Sequence, residues 1–345
     1  MVVENRRGRK ITGRLRLDLG AWECSGASEF DLVGIDRDSR FSTTISLKPP
    51  FVPSAAEAKL SLDTGLTTEE FKDSLIALGD GDREVTVEGK GGVFVVENGF
   101  LTVRIAPGFC ASIFAIERDG VNYLLTSYPE SGEFMWMNPW FGGVHPFLNW
   151  SGDTRLSKEK FVAEAIKRTG VRGIEWSGVK LSCELEHKDH RWLKFEVEYL
   201  TMGGSNIVAV VSRWTNSTTA PMRLSSGVAA WLRPGGSLEH VVLHYEQDKV
   251  HRYLRRGDYA AEFNSGRWAA VENPEEGDVV AVIAADQNAH ISAEDTGRNG
   301  AHLFVNVRKS LGSEETKESL TWLVLTDSVE RARIYRALQE VWQLP

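Results

Sequence analysis

The stretch richest in chemistry is 134–150. It holds one histidine, His145, in the run Gly142-Gly143-Val144-His145-Pro146, among six aromatic residues: Phe134, Trp136, Trp140, Phe141, Phe147 and Trp150. An imidazole whose pKa is near about 6.5 serves as acid or base at neutral pH. Adjacent glycines let the backbone approach a ligand because no Cβ intervenes. Indole faces match the apolar C–H face of a pyranose, and the indole N–H can bond a hydroxyl. Asn149 and Asp153 stand close enough in sequence to orient hydroxyls, although 149–153 reads equally as turn chemistry. His145 also has a plain alternative, a corner histidine that caps backbone among core tryptophans.

A second candidate group is Arg213, Trp214, Trp231 and Arg233, expected along the other side of such a cleft. In a strand, neighbours point to opposite faces and residues two apart share one. Trp231 and Arg233 therefore share a face, and a guanidinium beside an indole suits a sugar carboxylate or sulfate. Core tryptophan with surface arginine is the competing reading. His240 and His244 are four apart, with Val241-Val242-Leu243 between them favouring a strand. That spacing is about 13 Å at about 3.3 Å per residue, too far for one metal ion. The three cysteines, Cys24, Cys110 and Cys183, are widely spaced with no CxxC pair, so neither a zinc site nor a disulfide framework is expected. No phosphate-binding glycine loop, dinucleotide fingerprint or nucleophile elbow is present. No cofactor and no metal are expected.

These residues need a β-framework to hold them. Residues 11–19 alternate apolar and polar, as a half-buried strand does, and 41–47 read as another. Thr67 and Glu70 have capping-box spacing ahead of a helical stretch over 69–78. From about 85 onward the pattern is strand after strand. Val93–Val96 and Phe100–Ile105 form a hairpin whose Asn98-Gly99 pair is expected to supply a type I′ turn. Asp119-Gly120 repeats that device. Further strands are expected at 178–186, 192–201, 206–215, 224–232, 241–245, 267–272, 279–284, 302–307 and 319–325. A helix is expected at 328–342, capped by Ser328. So many strands without alternating helices predict an all-β protein: a large antiparallel sandwich over 86–345, a smaller β-rich region over 1–85 with one short helix, and a C-terminal helix.

The composition agrees. Forty basic against 48 acidic side chains give a net charge of −8, with eleven tryptophans and 32 glycines in 345 residues. A net negative chain disfavours a general nucleic-acid binder. The basic run Arg6, Arg7, Arg9, Lys10, Arg14 and Arg16 reads as a solvated arm. No run approaches the roughly 20 apolar residues of a membrane span. Neither nucleic acid nor membrane is expected as a partner. The start shows no apolar leader segment, so a cytoplasmic address is expected, with an extracellular one the alternative if a leader has been removed.

Over 90–327 the sequence resembles the galactose-mutarotase-like supersandwich family, which includes aldose epimerases and domains of glycoside hydrolases and polysaccharide lyases. Glu97-Asn98-Gly99-Phe100-Leu101-Thr102-Val103-Arg104-Ile105, with Pro107-Gly108 and the segment to Gly120, is similar to the family's entry hairpins. Asn138-Pro139-Trp140-Phe141-Gly142-Gly143-Val144-His145-Pro146 resembles its glycine-rich cleft rim. Trp214-Thr215-Asn216-Ser217-Thr218-Thr219-Ala220-Pro221-Met222-Arg223-Leu224 resembles its asparagine strand and turn, and Leu311-Gly312-Ser313-Glu314-Glu315-Thr316 its late glycine turn. One departure is plain. Where the family carries a proton-handling histidine, this chain reads Gly227-Val228-Ala229-Ala230-Trp231-Leu232. An alanine transfers no proton, so the resemblance does not carry ordinary aldose 1-epimerase activity with it.

The resemblance also implies a carboxylate base some two dozen residues before the late glycine turn, which falls at Glu294 and Asp295, beside His290. An exposed loop is the alternative there. The expectation is a carbohydrate-active protein with a saccharide ligand, of hydrolase, lyase or epimerase type. Its acid/base pair would be His145 and Glu294, and its cleft would be lined by Trp140, Asn149, Trp150, Asp153, Trp231 and Arg233. A non-catalytic glycan-binding or structural module is the alternative, favoured by the alanine.

Overall fold

Alternating sequences punctuated by glycine and Asx turns pair with their chain neighbours, and that is how this chain folds. The structure, a computed structural model, describes all residues except 7–8, 135–136, 150–154, 258–259, 298–299, 342 and 345. It divides into two compact units, Met1–Leu78 and Gly79–Pro345.

In the first unit a four-stranded antiparallel sheet runs in the order Glu29–Ile35, Ile11–Asp18, Ser54–Asp63, Thr68–Ala77. Ile11, Leu15, Leu32 and Leu62 form its small core. The helix expected over 69–78 is a strand, paired residue for residue with Ser54–Asp63. The capping-box spacing belongs instead to the hairpin turn. Asp63 accepts from the Gly65 N–H, and Thr64 Oγ1 meets both the carbonyl and the hydroxyl of Thr67. Local helix signals lose to ten residues of cross-strand pairing.

The second unit is a sandwich of two large antiparallel sheets. One, the site sheet, runs Ala260–Ser265, Ala289–Thr296, Ala301–Leu311, Met222–Leu232, Val144–Leu148, Ser112–Arg118, Thr102–Ala106, Val93–Glu97, Thr86–Lys90. The other runs Val162–Thr169, Glu175–Glu184, Leu193–Thr201, Ile207–Asn216, Thr316–Thr326, Asp278–Ala284, Trp268–Asn273, Val242–Glu246, Val250–Leu254. Alternate residues of both sheets, such as Val228, Ala230, Leu303 and Val305 against Val208, Val210, Leu323 and Val282, make one continuous core. The large antiparallel β-sandwich read from the sequence is therefore the architecture.

Two local expectations change. Asn98-Gly99 does turn the hairpin, but only Gly99 has a positive φ of 79°. Asn98 is fully buried: Oδ1 accepts from the Phe100 and Leu101 N–H groups, and Nδ2 donates to Thr201 Oγ1 and the Ser205 carbonyl. It ties the two sheets together. Asp119-Gly120, with φ of 52° and 82°, does place both central residues on the left-handed side. The C-terminal helix is an α-helix only over Val329–Ile334, where Ser328 Oγ accepts from the Arg331 N–H, and it tightens to 3₁₀ over Tyr335–Glu340. Among the described residues no helix is long and apolar enough to cross a membrane.

Candidate functional site

Strand alternation sorts the site sheet into two faces. Val144, Leu148, Val228, Ala230, Leu303, Val305, Ile291 and Ala293 enter the core. Their neighbours must point the other way. Cross-strand register arranges these outward residues in three rows. The first is His145, Ala229, Phe304, Ser292, Asn264. The second is Trp231, His302, Glu294, Glu262. The third is Phe147, Gly227, Asn306, His290.

A cavity of about 500 Å³ opens over one end of this face, lined among others by Glu262, Asn264, His290, Ser292, Glu294, Phe304 and Asn306. Phe304 forms an apolar floor, stacked on Phe147 with ring centroids 4.0 Å apart. The stack fits because Gly227 and Ala229 are small. A Cβ on Gly227 would lie 1.8 Å from the Val305 carbonyl oxygen and 2.9 Å from the Phe147 ring. Ala229, the position where the family pattern has histidine, sits in register between His145 and Phe304 and packs with the two phenylalanines.

Glu294 is the best-supported chemical group here. His302, 1% exposed, faces it from the next strand, with Nδ1 3.4 Å from Glu294 Oε2. Ser292 Oγ donates to Glu262 Oε1 at 2.5 Å. Burial works to raise the Glu294 pKa, but hydrogen bonding by His302 outweighs it and holds the carboxyl below its ordinary value. His302 is in turn clamped flat on Trp231, centroids 4.2 Å apart and planes at 13°. Its Nε2 is buried with no hydrogen-bond partner.

His145 lies elsewhere on the face. Gly142 and Gly143 both have φ of 67°, and a Cβ on either would come within 2.4 Å of a backbone carbonyl oxygen, so only glycine fits this turn. His145 Nδ1 donates to the Gly142 carbonyl at 3.1 Å, which leaves the lone pair on Nε2. Burial lowers its pKa to about 4; the Gly142 bond opposes this and nearby His302 adds to it. The imidazole is neutral at pH 7. Its row is one step from that of Glu294, but two strands lie between them. Three inter-strand steps at about 4.8 Å make about 14 Å, so the two side chains do not meet directly.

The other expected residues scatter. Trp231 is 1% exposed, covered edge-on by Phe134 and Trp140 at 4.5 and 5.4 Å, so its faces are not available to a sugar. Trp140 is half-buried, stacked on Phe134. Arg233 is half-buried at the strand end, its N–H donating to the Tyr123 carbonyl, and it does not line the cavity. Arg213 and Trp214 belong to the second sheet. Arg213 bonds Glu196, Glu198 and Glu318 there, and Trp214 is core. Asn149 sits at φ 72° in a turn, with Oδ1 accepting from the Ser225 N–H and Nδ2 2.6 Å from His190 Nε2. Asp295 is buried toward Arg255, 3.2 Å away. Trp150 and Asp153 lie outside the described residues. The indoles were expected to make the cleft; among the described lining residues its rings are Phe304 and His290 instead. His302, Ser292, Glu262, Asn264 and Asn306 went unread. For His302 and Asn306 the signal was two polar residues flanking the apolar run Leu303-Phe304-Val305 and sharing one face of the strand, since residues two apart point the same way.

No protein-family model matches the sequence, and no curated protein matches it. Solved structures do share its fold. The chain is similar to a galactose mutarotase-like protein from Clostridium acetobutylicum, with 12% identity and a TM-score of 0.52 over 72% of this chain and 100% of that one. It is similar to galactose 1-epimerase from Lactobacillus acidophilus, with 10% identity and a TM-score of 0.50 over 72% of this chain and 100% of that one. A TPR-domain containing protein from Parabacteroides distasonis matches at 13% identity and a TM-score of 0.50 over 78% of this chain, which spans only 50% of that protein. At such identities the likeness defines a class of architecture: this chain has the galactose mutarotase-like β-sandwich fold.

Proposed function

We propose that the protein binds a saccharide in the cavity on the outward face of the site sheet, and acts on it with Glu294 as general base. The observation that carries this reading is the convergence, on one face, of an ionised Glu294, the amides of Asn264 and Asn306, and the ring of Phe304 around a cavity of about 500 Å³. That volume lies in the range of small-molecule sites. The ring offers its surface to sugar C–H groups and the amides bond hydroxyls. A carboxylate kept ionised at neutral pH takes a hydroxyl proton, and His302 positions it. His145, about 14 Å off by strand spacing, does not serve as the acid for the same sugar ring.

The test is a screen of mono- and oligosaccharides by thermal shift, with proton NMR of the same mixtures for product. Stabilisation by at least one sugar is expected, with turnover abolished in Glu294→Gln. Absence of any stabilising sugar refutes the reading. A second reading, a non-catalytic glycan-binding module, is favoured by Ala229, where the family pattern carries a proton-handling side chain. Sugar binding without product from wild type supports that version.

A further inference from the structure

The charge on the cavity wall narrows the ligand class. Glu262 and Glu294 are directly opposite one another on neighbouring strands. Side chains so placed have Cβ atoms about 4.5–5.5 Å apart, and like charges there repel. Ser292 donates to Glu262 and His302 faces Glu294, but no Lys or Arg lines the cavity among the described residues. The third carboxylate at the wall, Asp295, is already answered by Arg255 and by the Arg256 N–H. Two carboxylates therefore face an open cavity without a cationic side chain between them. One row along lies an apolar ring, Phe304, and a neutral amide, Asn306, lines the cavity a further row away. Glu294 is half-buried and Glu262 exposed, and like charges placed opposite one another repel until a counter-charge arrives.

We propose that this cavity selects a saccharide bearing a free, protonated amine and rejects uronates and sulfated sugars. The inference rests on the saccharide reading above and specifies its ligand. An ammonium group offers three N–H donors, and the facing carboxylates of Glu262 and Glu294 accept two of them. The sugar ring to which it is attached covers Phe304. A metal ion is the poorer occupant: no group of three His, Cys, Asp or Glu among the described residues is placed to hold one. With no Lys or Arg at the cavity among the described residues, no cationic side chain is there to neutralise a uronate carboxylate for elimination. Arg233, the residue suited to that task by sequence, is not at the cavity.

The experiment is titration calorimetry of the full chain with the methyl glycosides of glucosamine, glucose and glucuronic acid, and with the corresponding galacto series, at pH 6.5. In at least one series the amino sugar is expected to bind at least about tenfold more tightly than the neutral sugar, with no heat from the uronide. Raising the salt from 50 to 500 mM shrinks that ratio because part of the wall is solvent-exposed. Raising the pH past about 8 shrinks it as the amine loses its proton. Glu262→Gln brings the ratio toward one, and Glu262→Lys, at an exposed edge-strand position, admits the uronide. Neutral and amino sugars binding equally, or the uronide binding to wild type, overturns the charge selection and leaves the saccharide reading standing. Saturable binding of calcium chloride alone, undisplaced by the amino sugar, also overturns it. No heat from any sugar overturns both.

Discussion

Replacing His302 by leucine probes the link between the buried imidazole and the base. The substitution removes the donor to Glu294 Oε2 and keeps an apolar body on the face of Trp231. A hydrogen bond to a charged group contributes about 1.5–3 kcal/mol. Its loss moves the carboxyl pKa upward from its lowered value. Two terms act on stability. The lost bond costs about 2 kcal/mol while Glu294 is ionised. Removing the unpartnered Nε2 returns part of this at every pH. The net change at neutral pH is therefore small, but its pH dependence is not. In wild type the folded carboxyl titrates below the unfolded value of about 4.3. Its contribution is complete above that value and disappears as pH falls through the folded pKa. Urea unfolding from pH 3 to 7 should show wild type gaining on His302→Leu as pH rises through this window. Carboxyl carbon NMR should show the Glu294 midpoint moving up in the variant. Parallel stability curves together with an unmoved midpoint refute the proposed role of His302.

Three further outcomes follow from particular contacts. Gly143→Ala places a Cβ 2.3 Å from the Ile113 carbonyl oxygen at φ 67°, and should cost more than about 1 kcal/mol by denaturant melt while displacing the His145 resonances. His145 itself should stay neutral until pH about 4 in long-range ¹H–¹⁵N spectra. The unfolded chain takes up that proton first, so this group makes stability fall as pH drops from about 6.5 to about 4. Lys309 is buried with no partner for Nζ, and burial pulls its pKa down to about 8. Lys309→Met should therefore stabilise the protein by about 2–3 kcal/mol at pH 7, with the gain shrinking as pH rises from about 8 toward 10, where wild type buries a neutral amine.

The architecture was legible because period-two alternation and Asx-Gly turns report directly on strands and hairpins. It failed over 68–77, where polar residues on an edge strand carry no clear period and the turn at Asp63–Thr67 imitates a helix cap. The glycine-rich turn holding His145 was legible too, because two glycines in succession mark backbone that must come close. The expected tryptophan cleft was not what formed. An indole sits as readily under a lid as along a cleft, and Trp231 is under Phe134 and Trp140. Glu294 came from a family likeness, whereas its partners came only from register. Which strands are neighbours in so large a sheet depends on long-range pairing, so nothing local places His302, from 301–311, between Trp231 and Glu294. Nor does local sequence reveal that Glu262 faces Glu294 across 31 residues of intervening chain.

The central claim is that a saccharide occupies the cavity over Phe304, between the facing pair Glu262 and Glu294 and the amide of Asn306. A crystal structure of the protein soaked in the tightest-binding sugar of the screen tests it most directly. Density for a pyranose lying on the Phe304 ring, with a substituent bonded to Glu294, is the expected result. A sugar seated beside Trp140 and Arg233 instead, with the Glu294 cavity empty, would contradict it.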